Sequence, residues 1–172
     1  GGGVPVACGC RLGEGTVSGV QAAVAAGSLG CVDLVQGYLD RITAYDRQGP
    51  ELNSVIVVNP DALSEAANLD AAYAAGGLTG PLHCAPVLLK DNFDAAGLVT
   101  SAGATALDNA MPPDDAFSAA GIRAAGGTIL GKANMDGFAS GLSLLHICLC
   151  RRQEQLSTRR AQRQLQPYYD TA

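Results

Sequence analysis

The chain has 172 residues, 48 % of them hydrophobic, which fits one globular domain. Much of that content is Ala, with no Trp and three Phe, so the core it builds is thin and calls for more protein to close it. The net charge of −5 combines an acidic body with a basic end: residues 1–150 hold six Lys/Arg and fourteen Asp/Glu, and residues 151–172 hold five Arg and two acids. An acidic body argues against nucleic acid as the main partner, which requires a basic face.

Residues 1–15 are Gly-rich and read as a loop. The Gly-Gly-Gly start has neither Met nor a basic leader and reads as a processed or truncated end. "TVSGVQAAVAAGSLG" predicts a helix, with Ser18 and Gln21 at capping-box spacing and Gly27 as its left-handed stop. "CVDLVQGYLDRITAYD" predicts a second helix, because Val32, Val35, Leu39 and Ile42 recur on one face. Cys31 stands where Ser or Thr would usually cap it.

The β-branched run in "LNSVIVVNP" predicts a strand. Pro60 suits the first turn of a third helix over 60–75, which Gly76-Gly77 would stop. "PVLLK" predicts a short buried strand and residues 94–114 a loop. Asp114 or Asp115 would cap a fourth helix in "DAFSAAGIRAAGG", and "TILGKAN" predicts a further short strand and turn. Helices alternating with short buried strands give an α/β fold class. From Leu144 the texture changes, with five Arg and five Gln between 151 and 166. The chain divides into a Gly-rich segment (1–15), a partial domain (16–143) and a divergent Arg/Gln-rich tail (144–172).

Several chemical constellations fail on spacing. "GGTILGKA" has the Gly-x4-Gly-Lys pattern of a phosphate loop, but Ala133 replaces the hydroxyl that magnesium needs, and the segment follows a helix. Cys148, Cys150 and His146, with Cys8 and Cys10, would be a metal set only with an unusual one-residue spacer, so no metal and no cofactor are expected. A disulfide framework among the six Cys is open, although no secretory signal precedes them. The serine nucleophile elbow and Ser-x-x-Lys are absent. His83 reads as a turn residue rather than a base. "LSLLHICLC" is too short to span a bilayer, and the cytoplasm is the favoured compartment. Oligomeric state has no signature here.

Lys90 admits two readings. It ends a strand with its ammonium in water, the common outcome for Lys. Alternatively an apolar pocket lowers its pKa and makes it a general base for a serine.

The flanks bear on that choice. "GPLHCAPVLLKDNFDAAGLVTSAGA" resembles the amidase signature family, whose segment reads Gly-Pro-Leu-His-Gly-Ile-Pro-Val-x-x-Lys-Asp-Asn and then Thr-Ser/Thr-Ala-Gly. "DLVQGYLDRITAYDRQGPELNSVIVVNPDALSEAANLD" and "PPDDAFSAAGIRAAGGTILGKANMDGFASG" are similar to its flanking segments, in the same order. The resemblance covers about residues 16–143. It implies an N-terminal portion of a mixed sheet flanked by helices, and hydrolysis of a small-molecule carboxylic amide by a Ser–cis-Ser–Lys triad. Lys90 matches the family's lysine, the base that activates the nucleophile through the middle serine. Lys132, in the matching "GKAN", is read as structural.

Cys84 departs from the family's usual Gly, Ala85 from Ile and Gly137 from Glu. The Ser/Gly-rich segments that carry both triad serines have no counterpart, and Ser140 and Ser143 precede that region. The chain alone is therefore expected to be inactive, with stretches of apolar surface left bare. A shifted reading frame or unspliced intron accounts for residues 144–167, and an unbroken transcript ending at Ala172 would sink that account. The alternatives are a non-catalytic fragment that binds a partner, and the amidase component of an amidotransferase acting on glutamyl-tRNA.

Overall fold

The structure, a computed structural model, describes residues 15–139. The expectations for the Gly-rich start, for Ser140 and Ser143, for the terminal Cys and His146, and for the Arg/Gln-rich tail lie outside the described residues.

The β-branched run forms β1 (Val55–Val58), "PVLLK" forms β2 (Pro86–Lys90) and "TILGKA" forms β3 (Thr128–Ala133). Their order in the sheet is β1-β3-β2. β3 pairs antiparallel with β1 and parallel with β2, so the sheet is mixed. Parallel pairing needs a long return connection, and α4 (Phe117–Ala124) lies within it.

Both sheet faces are covered. On one side, α1 (Val17–Ala25), α2 (Cys31–Arg41) and α3 (Ala62–Gly76) bury Val20, Val24, Leu34, Val35, Ala62 and Ala66 around Leu130. On the other, Ile129 packs with Leu89, Leu98 and Ala119 of α4. Adjacent Ile129 and Leu130 thus serve opposite layers, as the strand period of two requires. Ala is the small partner in each layer, which lets the helices sit close but buries little area per residue. Phe117 is 95 % exposed and Phe138 68 % exposed.

Gly131 marks a bulge. The register shifts beside it on the β2 ladder, between Val87 and Leu88, while the β1 ladder shifts further along, between Val55 and Val57; a Cβ at Gly131 would run into the Val57 carbonyl.

Helix starts depart from the sequence reading. Thr16, not Ser18, caps α1, its hydroxyl accepting from the Gly19 N–H at 3.0 Å. Gly27 ends that helix at φ +67°, as its position in the sequence implied. Gly30 rather than Cys31 is the cap of α2. A glycine offers no acceptor, and Asp70 of α3 supplies one instead: its carboxylate accepts from the N–H groups of Cys31 (2.7 Å) and Val32 (3.1 Å). Pro60 lies before α3, where the Asn59 side chain accepts from Asp61 N–H (2.9 Å) and donates to the Ile129 carbonyl (2.7 Å). Ala116 stands at the cap of α4. Asp115 faces elsewhere, accepting from Ala96 N–H (2.7 Å) and pairing with Arg123 (3.1 Å).

The second helix also changes pitch. It widens into a π-helical turn, Ile42–Arg47, that delivers Asp46 inward. Buried Asp46 accepts from the Ser54 N–H at 2.6 Å and the Val55 N–H at 3.3 Å, fixing the entry to β1.

Candidate functional site

Because β2 and β3 are parallel, their carboxyl ends fall side by side, with Lys90 opposite Ala133. In open α/β sheets this is the end where ligands collect. Lys90 therefore sits on a rigid strand end rather than on a loop. Leu89 turns into the α4 layer, and by the strand alternation Lys90 and Leu88 face the other way. Both are exposed.

The next residue fixes that strand end. Asp91 is fully buried, and its N–H continues the ladder to the Ala133 carbonyl at 3.0 Å. One carboxylate oxygen, Oδ2, accepts from the N–H (3.1 Å) and hydroxyl of Ser101 and from Gly103 N–H (3.3 Å). This ties the loop 91–103 back beneath the strand end. The other oxygen, Oδ1, lies 3.3 Å from Lys132 Nζ. That contact is charge on charge without hydrogen-bond alignment, since Oδ1 has no hydrogen-bond partner. The ammonium's directed bond goes to Thr100 Oγ1 at 2.8 Å, with a longer one to the Val99 carbonyl at 3.4 Å.

Lys132 is thus a lysine with no exposure at all, and Lys90 is an exposed one. An ion pair out of water is held by geometry and surrounding donors, not by Coulomb attraction alone. The Asp91–Lys132 pair, Ser101 and Thr100 together clamp the loop after β2 to β3. "GKA" lies within β3, so it has no phosphate-loop geometry.

A second polar cluster lies at the other end of β2. His83 is buried in the turn before the strand, 5.6 Å from the Tyr73 ring centroid. The Thr79 N–H can only donate, and it reaches Nδ1 at 3.3 Å. Nδ1 is therefore the acceptor and Nε2 carries the proton, facing Cys31 Sγ at 3.7 Å. Cys31, His83 and Cys84 have side-chain donor atoms within 4.8 Å of one another, all buried.

Burial holds the His83 pKa below its usual 6.5, and the Asp70 charge opposes that shift without reversing it. The native state then binds fewer protons than the unfolded chain just below pH 6.5, so stability is full above that pH and falls as pH drops towards the lowered native value. Urea unfolding between pH 7.5 and pH 5.5 should show this loss, with a slope up to about 1.4 kcal/mol per pH unit. His83→Gln should flatten it; an equal slope in the variant would assign the loss to other groups.

Sequence reasoning identified Lys90 and Lys132 but not Asp70, Asp91 or Ser101. The "KDN" and "TSAG" motifs contained the last two as letters; only the fold shows that they meet. Among the described residues no helix is long and apolar enough to cross a membrane.

Comparison with known proteins bears on the family and the fold. The chain is 41 % identical over 125 residues to a glutamyl-tRNA(Gln) amidotransferase subunit of Acidothermus cellulolyticus, covering 72 % of this chain and 24 % of that protein. It is 42 % identical over 129 residues to the same subunit of Thiobacillus denitrificans, covering 74 % and 26 %. Among solved structures, native peptide amidase from Stenotrophomonas maltophilia superposes with a TM-score of 0.71 at 49 % identity, over 74 % of this chain and 26 % of that one. An amidase family protein from Bacillus anthracis gives 0.71 at 36 % identity, over 76 % and 26 %. The chain thus spans about a quarter of the length of the relatives it matches, and its mixed sheet with flanking helices is part of their fold. The Amidase family matches residues 33–151, so this chain belongs to the amidase family.

Proposed function

We propose that this chain is the lysine-bearing portion of an enzyme that hydrolyses a carboxylic amide to an acid and an amine or ammonia. The observation that carries it is the placement of Lys90 at the joint carboxyl end of the parallel strands β2 and β3, beside the Asp91 clamp. Lys90 acts as the base. It takes a proton, through an intervening serine, from the serine that attacks the amide carbon. Lys90 is exposed in this chain, and the role rests on its match to the family's lysine and on its place at the shared strand end. The two serines belong to segments that this chain does not supply, so residues 16–143 make one unit of a larger active site.

Purified chain should give no turnover of a simple aryl amide; turnover lost on Lys90→Ala would overturn the incompleteness. The role of Lys90 is tested in a chimera, with this chain's residues 16–139 replacing the matching segment of the Stenotrophomonas peptide amidase. The chimera should hydrolyse a peptide amide, and Lys90→Ala should lower kcat by about 10²–10⁴-fold. An active chimera indifferent to Lys90→Ala removes Lys90 from the mechanism.

A second reading is supported by the identity to the amidotransferase subunits: the released ammonia would pass to glutamyl-tRNA instead of to water. Grafting the same segment into the Acidothermus protein, with the rest of its amidotransferase present, separates the two.

A further inference from the structure

We infer that Cys31 and Cys84 form a thiol–disulfide site peculiar to this chain, closed during folding and shielded once the fold is complete. Six cysteines allow fifteen ways of forming three bridges, and sequence cannot choose among them. The fold does choose. Cys31 opens α2, and Cys84 ends the turn before β2, 53 residues later. Their Cα atoms are 5.0 Å apart, inside the range a disulfide spans, and their sulfurs are joined.

Each cysteine is out of place by local rules. Cys84 has φ +63°, a conformation that favours glycine, and glycine is the residue the resembling segment usually carries there. Cys31 caps nothing, because Asp70 takes the exposed N–H groups of α2. Two such departures meeting in one contact point to a bond between them. The bond ties the helical layer to the root of β2, and it lies apart from the Lys90 end of that strand.

The chemistry balances by exchange with a small disulfide such as oxidised glutathione. One cysteine thiolate attacks it and releases one glutathione thiol. The second cysteine then displaces the other glutathione, which leaves one new S–S bond and two glutathione thiols. Both steps need the sulfurs accessible, yet Cys31 and Cys84 have no exposure in the fold. Exchange therefore takes place in the unfolded or partly folded chain. Cys31, His83 and Cys84 could hold a thiophilic cation only with the sulfurs apart and the Nε2 proton lost, and here Nε2–H faces Cys31 Sγ.

The test uses the whole chain, folded in glutathione redox buffer with zinc chloride present, alkylated without reduction and digested with trypsin. Cys31 falls alone in peptide 12–41 and Cys84 alone in peptide 48–90, so their bridge gives a unique species two hydrogens lighter than the free pair. That species is expected. In dithiothreitol it should survive while the chain is folded and vanish in urea. A bridge from either peptide to 1–11 or 133–151, both peptides alkylated, or one zinc held per chain in place of the bridge would each overturn the pairing. Equally fast reduction with and without urea would overturn the shielding.

Discussion

Lys132→Met is expected to destabilise the chain by about 3–5 kcal/mol, because it leaves the Asp91 carboxylate buried without its counter-charge. The methionine fills a similar volume, so the loss reads on charge and hydrogen bonding rather than on a cavity. Asp91 would retain Ser101 and Gly103 on one oxygen, but its other oxygen already lacks a hydrogen bond. Adding Asp91→Asn should recover part of the loss, since a neutral amide asks for no counter-charge. A urea midpoint series on the two single variants and the double variant gives the coupling directly. Additive effects would mean that the pair is not a unit and that Lys132 acts through Thr100 alone.

Ile129→Ala is expected to cost about 2–5 kcal/mol, in the range for deleting a fully buried aliphatic side chain. The upper half of that range is the better expectation. Ile129 is fully buried in the α4 layer, and neighbours such as Ala95 and Ala119 are too small to close over the gap. Ile129→Val should cost only about 0.5–1.5 kcal/mol. The carbonyl of Ile129, which accepts from Asn59, is untouched by either change. Thermal or urea unfolding of the two variants checks the ratio. Equal losses would point to backbone displacement of β3 instead of a cavity.

Much of the architecture was legible because its signals are local. Proline, glycine and β-branched runs delimited β1, β2 and β3 within a residue or two, and alternation of helix and strand implied the α/β class. Gly27 was legible for the same reason. What failed was any device whose partner is far along the chain. The cap of α2 comes from Asp70, nearly forty residues on, so no neighbouring residue signals it, and Cys31 stands where Ser or Thr would usually be. Ser18 and Asp115 had the right chemistry at nearly the right place, but Ser18 lies inside the first turn while Thr16 stands just before it, and Asp115 is engaged by Ala96 and Arg123. The candidate site divides the same way. Lys90 and Lys132 were marked by motif, whereas the burial of one lysine and the exposure of the other depend on Asp91 and on the register of β3. The sheet order itself has no local signature, because pairing choices are made across long stretches of chain.

That order has a consequence for synthesis. Among the described residues β1 and β2 do not pair with each other; each pairs with β3, which comes last of the three in the chain. A polypeptide emerging from the ribosome can form α1, α2 and α3 and bring them together, but its first two strands have no ladder to join until residue 133 has been made. Until then two β-prone segments wait with open edges, one of them carrying Lys90. The step that joins these strands also places Lys90 beside the carboxyl end of β3, so assembly of this sheet and positioning of Lys90 are a single event.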